Sequence, residues 1–251
     1  MPSKPKILLI ADVRGWIFER HCHYISKILE KDFLFNTSFH RDNYGYYFDE
    51  DAYDLIYPLE FDLLHPHKDI NPQKYITGIR SHSSWGDFDY KDLGDYLSSK
   101  FNFIHVVSEE LGAVFKGILP SGKYYGVVHH GVDTKLFSPN KQKNNTKEIV
   151  LGWAGNRNAN ACKGFEFIEK LEEVDGVSLK YCGYADKNLN AEQMVDFHNS
   201  LDAYVCASET EGHNNSLIES ACVGNSLITT INGTVPEYLV DEENALIVNR
   251  D

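Results

Sequence analysis

Ser208–Ile231 reads SETEGHNNSLIESACVGNSLITTI, and its reading decides the fold. The apolar run Ala203–Cys206 just before it predicts a strand, followed by a polar turn containing Glu211 and Gly212. A short helix is expected from about Ser216 to Val223, then Gly224 and a second apolar strand. Strand, turn, helix and strand make a parallel βαβ unit, and ligands in such sheets bind outside the carboxyl ends of the strands. The residues His213, Asn214, Asn215, Ser216 and Leu217 span the helix start. Its first N–H groups point back at the turn, and their partial positive charge suits an anion such as phosphate. Glu211 precedes the helix and Glu219 falls in its first turns, an E-x7-E spacing that lets two carboxylates face one ligand. A plainer reading fits the same letters: Ser216 and Glu219 form S-x-x-E, a capping box in which Glu219 only satisfies the backbone of Ser216. Spacing alone leaves both readings open.

Working outward, 251 residues suffice for one large domain or two small ones, with ordinary hydrophobic (42%) and charged (24%) content. A net charge of −13 argues against a general binder of nucleic-acid backbones, which needs a basic face, and against strong adhesion to anionic lipid. The five cysteines, Cys22, Cys162, Cys182, Cys206 and Cys222, form no C-x-x-C pair and read as reduced, buried thiols of a cytoplasmic protein. The apolar run after the basic N-terminus, Ile7–Ala11, is too short for a signal peptide, and no stretch approaches the ~20 apolar residues of a membrane span. Membrane contact is expected to be peripheral at most, at an inner membrane face.

Lys6–Ala11 is a continuous apolar run, as expected of a strand covered on both faces. A turn with Arg14 and Gly15 follows, and Phe18, Cys22, Ile25, Ile28 and Leu29 then recur at helical spacing. Gly15 alone makes no G-x-G-x-x-G fingerprint. Further strands are expected at Phe33–Ser38, Leu55–Pro58, Tyr75–Ser81, Phe103–Ser108 and Tyr124–His129, with Ser108 capping a helix. The acidic Asp49, Glu50 and Asp51 read as a solvated loop rather than a metal site, and the tyrosines before them line a groove or cover an edge. His82 follows a strand at its carboxyl end, where it can face a ligand or serve as a hydrogen-bonded structural residue. Asn140–Lys147 is polar and aperiodic, the place for a linker. A second βαβ series starts at Ile149–Ala154. Its loop carries Asn156, Arg157, Lys163 and Gly164 ahead of a helix with Phe165, Ile168 and Leu171. Lys or Arg beside a helix start supplies the positive charge a departing diphosphate needs, without a metal. A strand at Val177–Cys182 and an amphipathic helix at Ala191–Leu201 lead into the opening stretch. His21-Cys22-His23 does not suggest a shared ion, because helical positions i and i+2 face apart.

Glu211-Gly212 with Ser216-Leu217-Ile218-Glu219-Ser220-Ala221 and Gly224 resembles the E-G-x-x-x-S-L-L-E-A-x-A-x-G signature of retaining glycosyltransferase family 4. Ser220 stands where Ala is usual. Gly131-Val132-Asp133, Phe137 and Pro139 are similar to that family's N-G-V-D-x-x-x-F-x-P junction, with His130 for Asn; Ser108-Glu109 and Leu111 to its V-S-E-x-L. Gly233 with Glu237, and Asn244 to Val248, are similar to its late segments, with Ala245 for Gly. Lys163-Gly164 matches its G-R-x(n)-K-G, whereas Asn156 holds the arginine position and Arg157 comes one residue later. The resemblance is dense in the second domain and sparse in the first, where it runs from Phe103 onward with His82 as an outlier.

The resemblance implies an α/β chain of GT-B type: two doubly wound, Rossmann-like domains, 1–140 on the acceptor side and 141–251 binding the nucleotide sugar, facing a cleft. It further implies a metal-independent, cofactor-free hexosyl transfer from a UDP-, GDP- or ADP-linked donor to a glycan, lipid-linked or small-molecule acceptor. In that scheme Glu219 holds ribose and Glu211 the sugar hydroxyls. The amides from His213 to Leu217, Gly212 included, lie against sugar and phosphate. Lys163, with Arg157, neutralises the diphosphate, and His82 and the Gly15 loop reach the donor sugar. Family members continue with helices that cross back onto the first domain, and the chain ends at Asp251. An epimerase or hydrolase acting on the donor, or a non-catalytic glycan or nucleotide binder, are the alternatives on the same scaffold.

Overall fold

The computed structural model describes residues 3–43, 48–64, 69–82, 89–140, 147–158, 162–183 and 187–250. The tyrosines at 44, 46 and 47, the residues following His82 and most of the expected linker lie outside the described residues. The chain divides into two compact units, Met1–His129 and His130–Asp251. The division falls ten residues earlier than the polar linker suggested, and packing explains why. Phe137 is buried with its ring 6.2 Å from that of His198. The Asn199 side chain donates to Ser138 O at 3.2 Å and accepts from Asn140 N at 2.7 Å. Residues 130–140 therefore belong to the second unit.

The first unit begins with β1 (Lys6–Ala11), whose apolar run is buried from Ile7 onward. The helix α1 (Ile17–Leu29) returns to β2 (Leu34–Phe39), and α2 (His40–Asn43) leads on to β3 (Leu55–Pro58). These strands form a parallel sheet in the order β2-β1-β3. A second parallel sheet follows, built from β4 (Ile76–Ile79), α3 (Tyr90–Lys100), β5 (Phe103–Val106), α4 (Glu109–Ile118) and β6 (Tyr124–Val127), in the order β4-β5-β6. An Ile56–Tyr75 bridge joins the two. Ser108 caps α4 as expected, accepting from Leu111 N at 3.3 Å. Asp49, Glu50 and Asp51 have structural work: Asp49 caps a 3-10 turn, Glu50 accepts from the Tyr75 hydroxyl at 2.8 Å, and Asp51 pairs with Lys74 at 3.4 Å.

The second unit runs β7 (Ile149–Ala154), α5 (Phe165–Glu169), β8 (Val177–Cys182), α6 (Ala191–Asn199), β9 (Ala203–Cys206), α7 (Asn215–Cys222), β10 (Ser226–Thr229), α8 (Val235–Tyr238) and β11 (Leu246–Ile247). All pairings are parallel, in the order β11-β10-β9-β7-β8. Side chains alternate across a strand with period two. The consequence is visible here: Val150, Tyr204 and Cys206 join one buried cluster, while Leu151, Trp153, Ala203 and Val205 join another. Both faces are covered, which is why the strands read as unbroken apolar runs. The strand order reverses direction between β7 and β9, and such a switch point leaves a crevice at the carboxyl ends of the two strands. The loops after β7 and β9 flank it.

The cysteine expectation needs correction in part. Cys22, Cys182 and Cys206 are buried, but Cys162 and Cys222 are partly exposed, because one lies in a loop and the other at the end of α7.

Candidate functional site

The loop after β9 carries Glu211 and the loop after β7 carries Lys163, and the two meet: Nζ lies 2.6 Å from Glu211 Oε1. The Ser208 hydroxyl donates to the same oxygen at 2.7 Å. Burial by itself would lower the Lys163 pKa, but the Glu211 carboxylate and its hydrogen bond outweigh that and hold the ammonium above its ordinary range. The lysine is charged at neutral pH and remains partly exposed, at 31% of its side chain.

Backbone contacts fix the two loops to one another. Glu209 N donates to Cys162 O at 2.7 Å, and the Cys162 thiol lies 3.2 Å from the Thr210 hydroxyl. Gly164 has φ +63°, and a β-carbon there would sit 2.2 Å from Ala207 O, so only glycine allows this approach. Gly233 braces the other side: a β-carbon would stand 2.8 Å from Glu211 O and 2.9 Å from Gly212 O. Thr230 and Asn232, both buried, donate to Ser208 O at 2.5 and 3.3 Å. Their positions after β10 gave the sequence reading no signal, since neither belongs to a spaced motif.

The α7 start does not form the Ser216–Glu219 capping box that the spacing also allowed. The cap is Asn214, whose Oδ1 accepts from Leu217 N at 3.1 Å. Asn214 wins over Asn215 and Ser216 because its Nδ2 also reaches the Cys206 thiol, at 2.9 Å. Ser216 is thus already inside the helix, and Glu219 does not fold back onto it. Glu219 is instead 2% exposed, with Oε2 at 3.4 Å from Nε2 of the fully buried His198 on α6. The partner lies 21 residues away in sequence, which is why spacing could not show it.

The remaining candidates of this unit divide into two groups. His213 is buried beside Gly212, with its ring 4.8 Å from that of His130. Asn156 accepts from Asn158 N at 3.1 Å and so stabilises its own loop. The Arg157 guanidinium lies 5.9 Å from the Phe165 ring centre and 5.8 Å from that of Tyr181, within reach of a cation–π contact with both.

In the first unit, His82 Nε2 lies 3.4 Å from Glu110 Oε1, at the carboxyl edge of β4 and β5. Gly15 has φ +80°, and its N–H donates to Glu19 Oε2 at 2.5 Å. Sequence reasoning missed Arg80, which is nine-tenths buried. Its guanidinium donates to the Tyr57 hydroxyl at 2.6 Å and to Leu59 O, and its backbone N–H to Glu60 at 2.8 Å. Tyr57 in turn meets His105 Nε2 at 2.6 Å.

Among the described residues, no group of three or more His, Cys, Asp or Glu is placed to hold a metal ion, and no helix is long and apolar enough to cross a membrane.

The fold is that of the GT-B glycosyltransferases. Sucrose-phosphate synthase from Thermosynechococcus elongatus superposes with a TM-score of 0.73 at 13% identity, over 99% of this chain and 86% of that one. HepE from Anabaena, in complex with UDP and glucose, gives 0.65 at 12% identity over 98% and 86%. A glycosyltransferase from Rickettsia africae gives 0.63 at 13% over 98% and 84%. No family model matches the sequence, and no curated protein matches it.

Proposed function

We propose that the chain is a nucleotide-sugar-dependent glycosyltransferase that transfers a hexose with retention and without a metal. The observation that carries this reading is the Lys163–Glu211 pair, set by the loops after β7 and β9 at the switch point of the second unit's sheet. A departing diphosphate gains most from a fixed cation beside it, because preorganised charge stabilises the transition state without reorganising. Lys163 is that cation, and it takes the role a metal would otherwise fill. Glu211, sharing its Oε1 with Lys163 and Ser208, keeps its other oxygen for the sugar hydroxyls. The α7 amides of Asn215 and Ser216 lie behind the phosphates and add the helix's partial positive charge.

Glu219 is the ribose-holding residue in this reading, reached at the edge of its buried carboxylate. Arg157, within cation–π reach of Phe165 and Tyr181, presents its charge toward the diphosphate from the β8 side. His82 is assigned to the acceptor-side unit's contribution, together with the Gly15 loop. Retention follows from the scheme the signature resembles: the acceptor attacks on the face the nucleotide leaves, and the charge on the departing diphosphate is met by Lys163. The UDP in the HepE complexes favours UDP as the first donor to try.

A thermal-shift screen of UDP, GDP and ADP tests the reading, since a ligand that binds only the folded chain raises its apparent stability. One nucleotide is expected to raise Tm in the wild type and to lose that effect in Lys163→Ala. No shift with any of the three would remove the donor site. Consumption of the sugar nucleotide without acceptor would redirect the reading to a hydrolase or epimerase.

A further inference from the structure

We infer that His130 is a positioning residue for the donor loop, holding residues 213–218 in the shape that receives the nucleotide; this rests on the donor-site reading above. His130 is the first residue of the second unit and lies 85 positions from Asn215 in sequence, yet its Nδ1 lies 3.1 Å from Asn215 Oδ1. A ring N–H donates and an amide oxygen accepts, so in this contact Nδ1 carries the proton. The same ring lies 4.8 Å from that of His213, tilted by 45°. That separation is within the range of favourable aromatic pairs. One side chain from outside the loop thus engages two of its residues, on either side of the cap Asn214.

Asn214 is occupied as well, by Leu217 N and the Cys206 thiol. The side chains of 213, 214 and 215 are therefore committed to holding the loop, and recognition falls to its backbone. The first amides of a helix have no intrahelical partner; the Leu217 and Ile218 amides bond to Asn214, so the cradle is formed by those of Asn215 and Ser216 ahead of them. An amide cradle works best when its shape is fixed beforehand, because ordering it on binding would cost conformational entropy at each residue. His130 supplies that order from a segment the E-x7-E spacing does not include.

The side chains of Asn and His carry their first polar nitrogen at the same δ position. His130→Asn therefore keeps a donor for Asn215 and loses the ring contact, whereas His130→Phe keeps a ring and loses the donor. Hydrogen exchange of the ligand-free protein tests the clamp itself. In His130→Phe and His130→Ala, the capped amides of Leu217 and Ile218 should exchange about tenfold faster than in the wild type, with β7 and β9 unchanged. His130→Asn should stay within about threefold. Calorimetry with UDP reads the consequence: Kd should rise about tenfold in His130→Phe and remain near the wild-type value in His130→Asn. With UDP-glucose, KM should rise and kcat hold, as for contacts made equally in ground and transition states.

Exchange at 217 and 218 that stays at the wild-type rate in His130→Phe would overturn the inference. Faster exchange spread over the whole second unit would do so too, since it would make His130 a general stabiliser. If the wild type binds none of UDP, GDP and ADP, the donor-site reading fails, while the exchange result still decides whether His130 clamps the loop.

Discussion

The carboxyl edges of the parallel sheets in the two units are built by opposite means. In the second unit, the edge is shaped by glycines that let backbones touch, and its charged pair, Lys163 and Glu211, stays within reach of solvent. In the first unit, the edge is shaped by long side chains turned inward: Arg80, Tyr57 and His105 bond to one another in a buried chain. Glycine contacts demand fixed letters at fixed spacing, so they leave a signature. A side-chain network can be assembled from many combinations of residues and leaves none. The proposed donor site, which needs a constant arrangement around a diphosphate, is the edge with the signature.

The largest expected effect tests the functional half of this contrast. Lys163→Ala and Glu211→Ala should each lower transfer about 10²–10³-fold in an assay of nucleotide release, the range seen when one preorganised transition-state contact is removed. His82→Ala, on the other edge, should cost about tenfold or less, as a contact outside the charged pair. Equal losses at both edges would break the comparison.

The glycines sharpen it. Gly164→Ala meets Ala207 O at 2.2 Å in a left-handed backbone, and should lower stability by about 3 kcal/mol or more in urea unfolding. Gly15→Ala has φ +80° with nothing within 4 Å, so it should cost only the ~1–2 kcal/mol of the backbone conformation itself.

Glu219 separates binding from packing within the second unit. Glu219→Ala leaves a gap beside the buried His198 ring and should lower Tm as well as UDP affinity, because a 2% exposed side chain is removed from the packed interior. Glu219→Gln keeps the shape and fills the same space beside the ring. It should weaken UDP binding while Tm moves by less than half as much. A loss of Tm with no change in UDP affinity would make Glu219 purely structural.

The two edges should also fail at opposite ends of the pH range. Burial, with Arg80 nearby, lowers the His105 pKa from 6.5 to about 3. The unfolded chain takes up this proton below pH 6.5 and the native one does not, so stability should fall as pH drops from 6.5 toward 3. The slope is at most about 1.4 kcal/mol per pH unit, and His105→Gln should flatten it in urea titrations. Lys163 has a raised pKa, so the stability from its pairing is complete below the unfolded value of 10.5 and is lost as pH rises through the folded one.

Much of the scaffold was legible because parallel strands covered on both faces must be continuously apolar. Lys6–Ala11, Ile149–Ala154 and Ala203–Cys206 stood out with the bounds they have in the structure. Lys163 and Glu211 were legible as candidates, but their contact bridges 48 positions and needed the fold. Choices among equivalent neighbours were not legible. Asn214, Asn215 and Ser216 are all good caps, and a thiol on β9 decided among them. The His198–Glu219 and His130–Asn215 contacts join elements that only tertiary packing brings together.

Crystals soaked with UDP-glucose provide the most direct measurement. The diphosphate should lie against Lys163 Nζ and the α7 amides, with a sugar hydroxyl on the Glu211 carboxylate. A nucleotide seated away from the β7–β9 crevice, with the Lys163–Glu211 pair untouched, would contradict that placement.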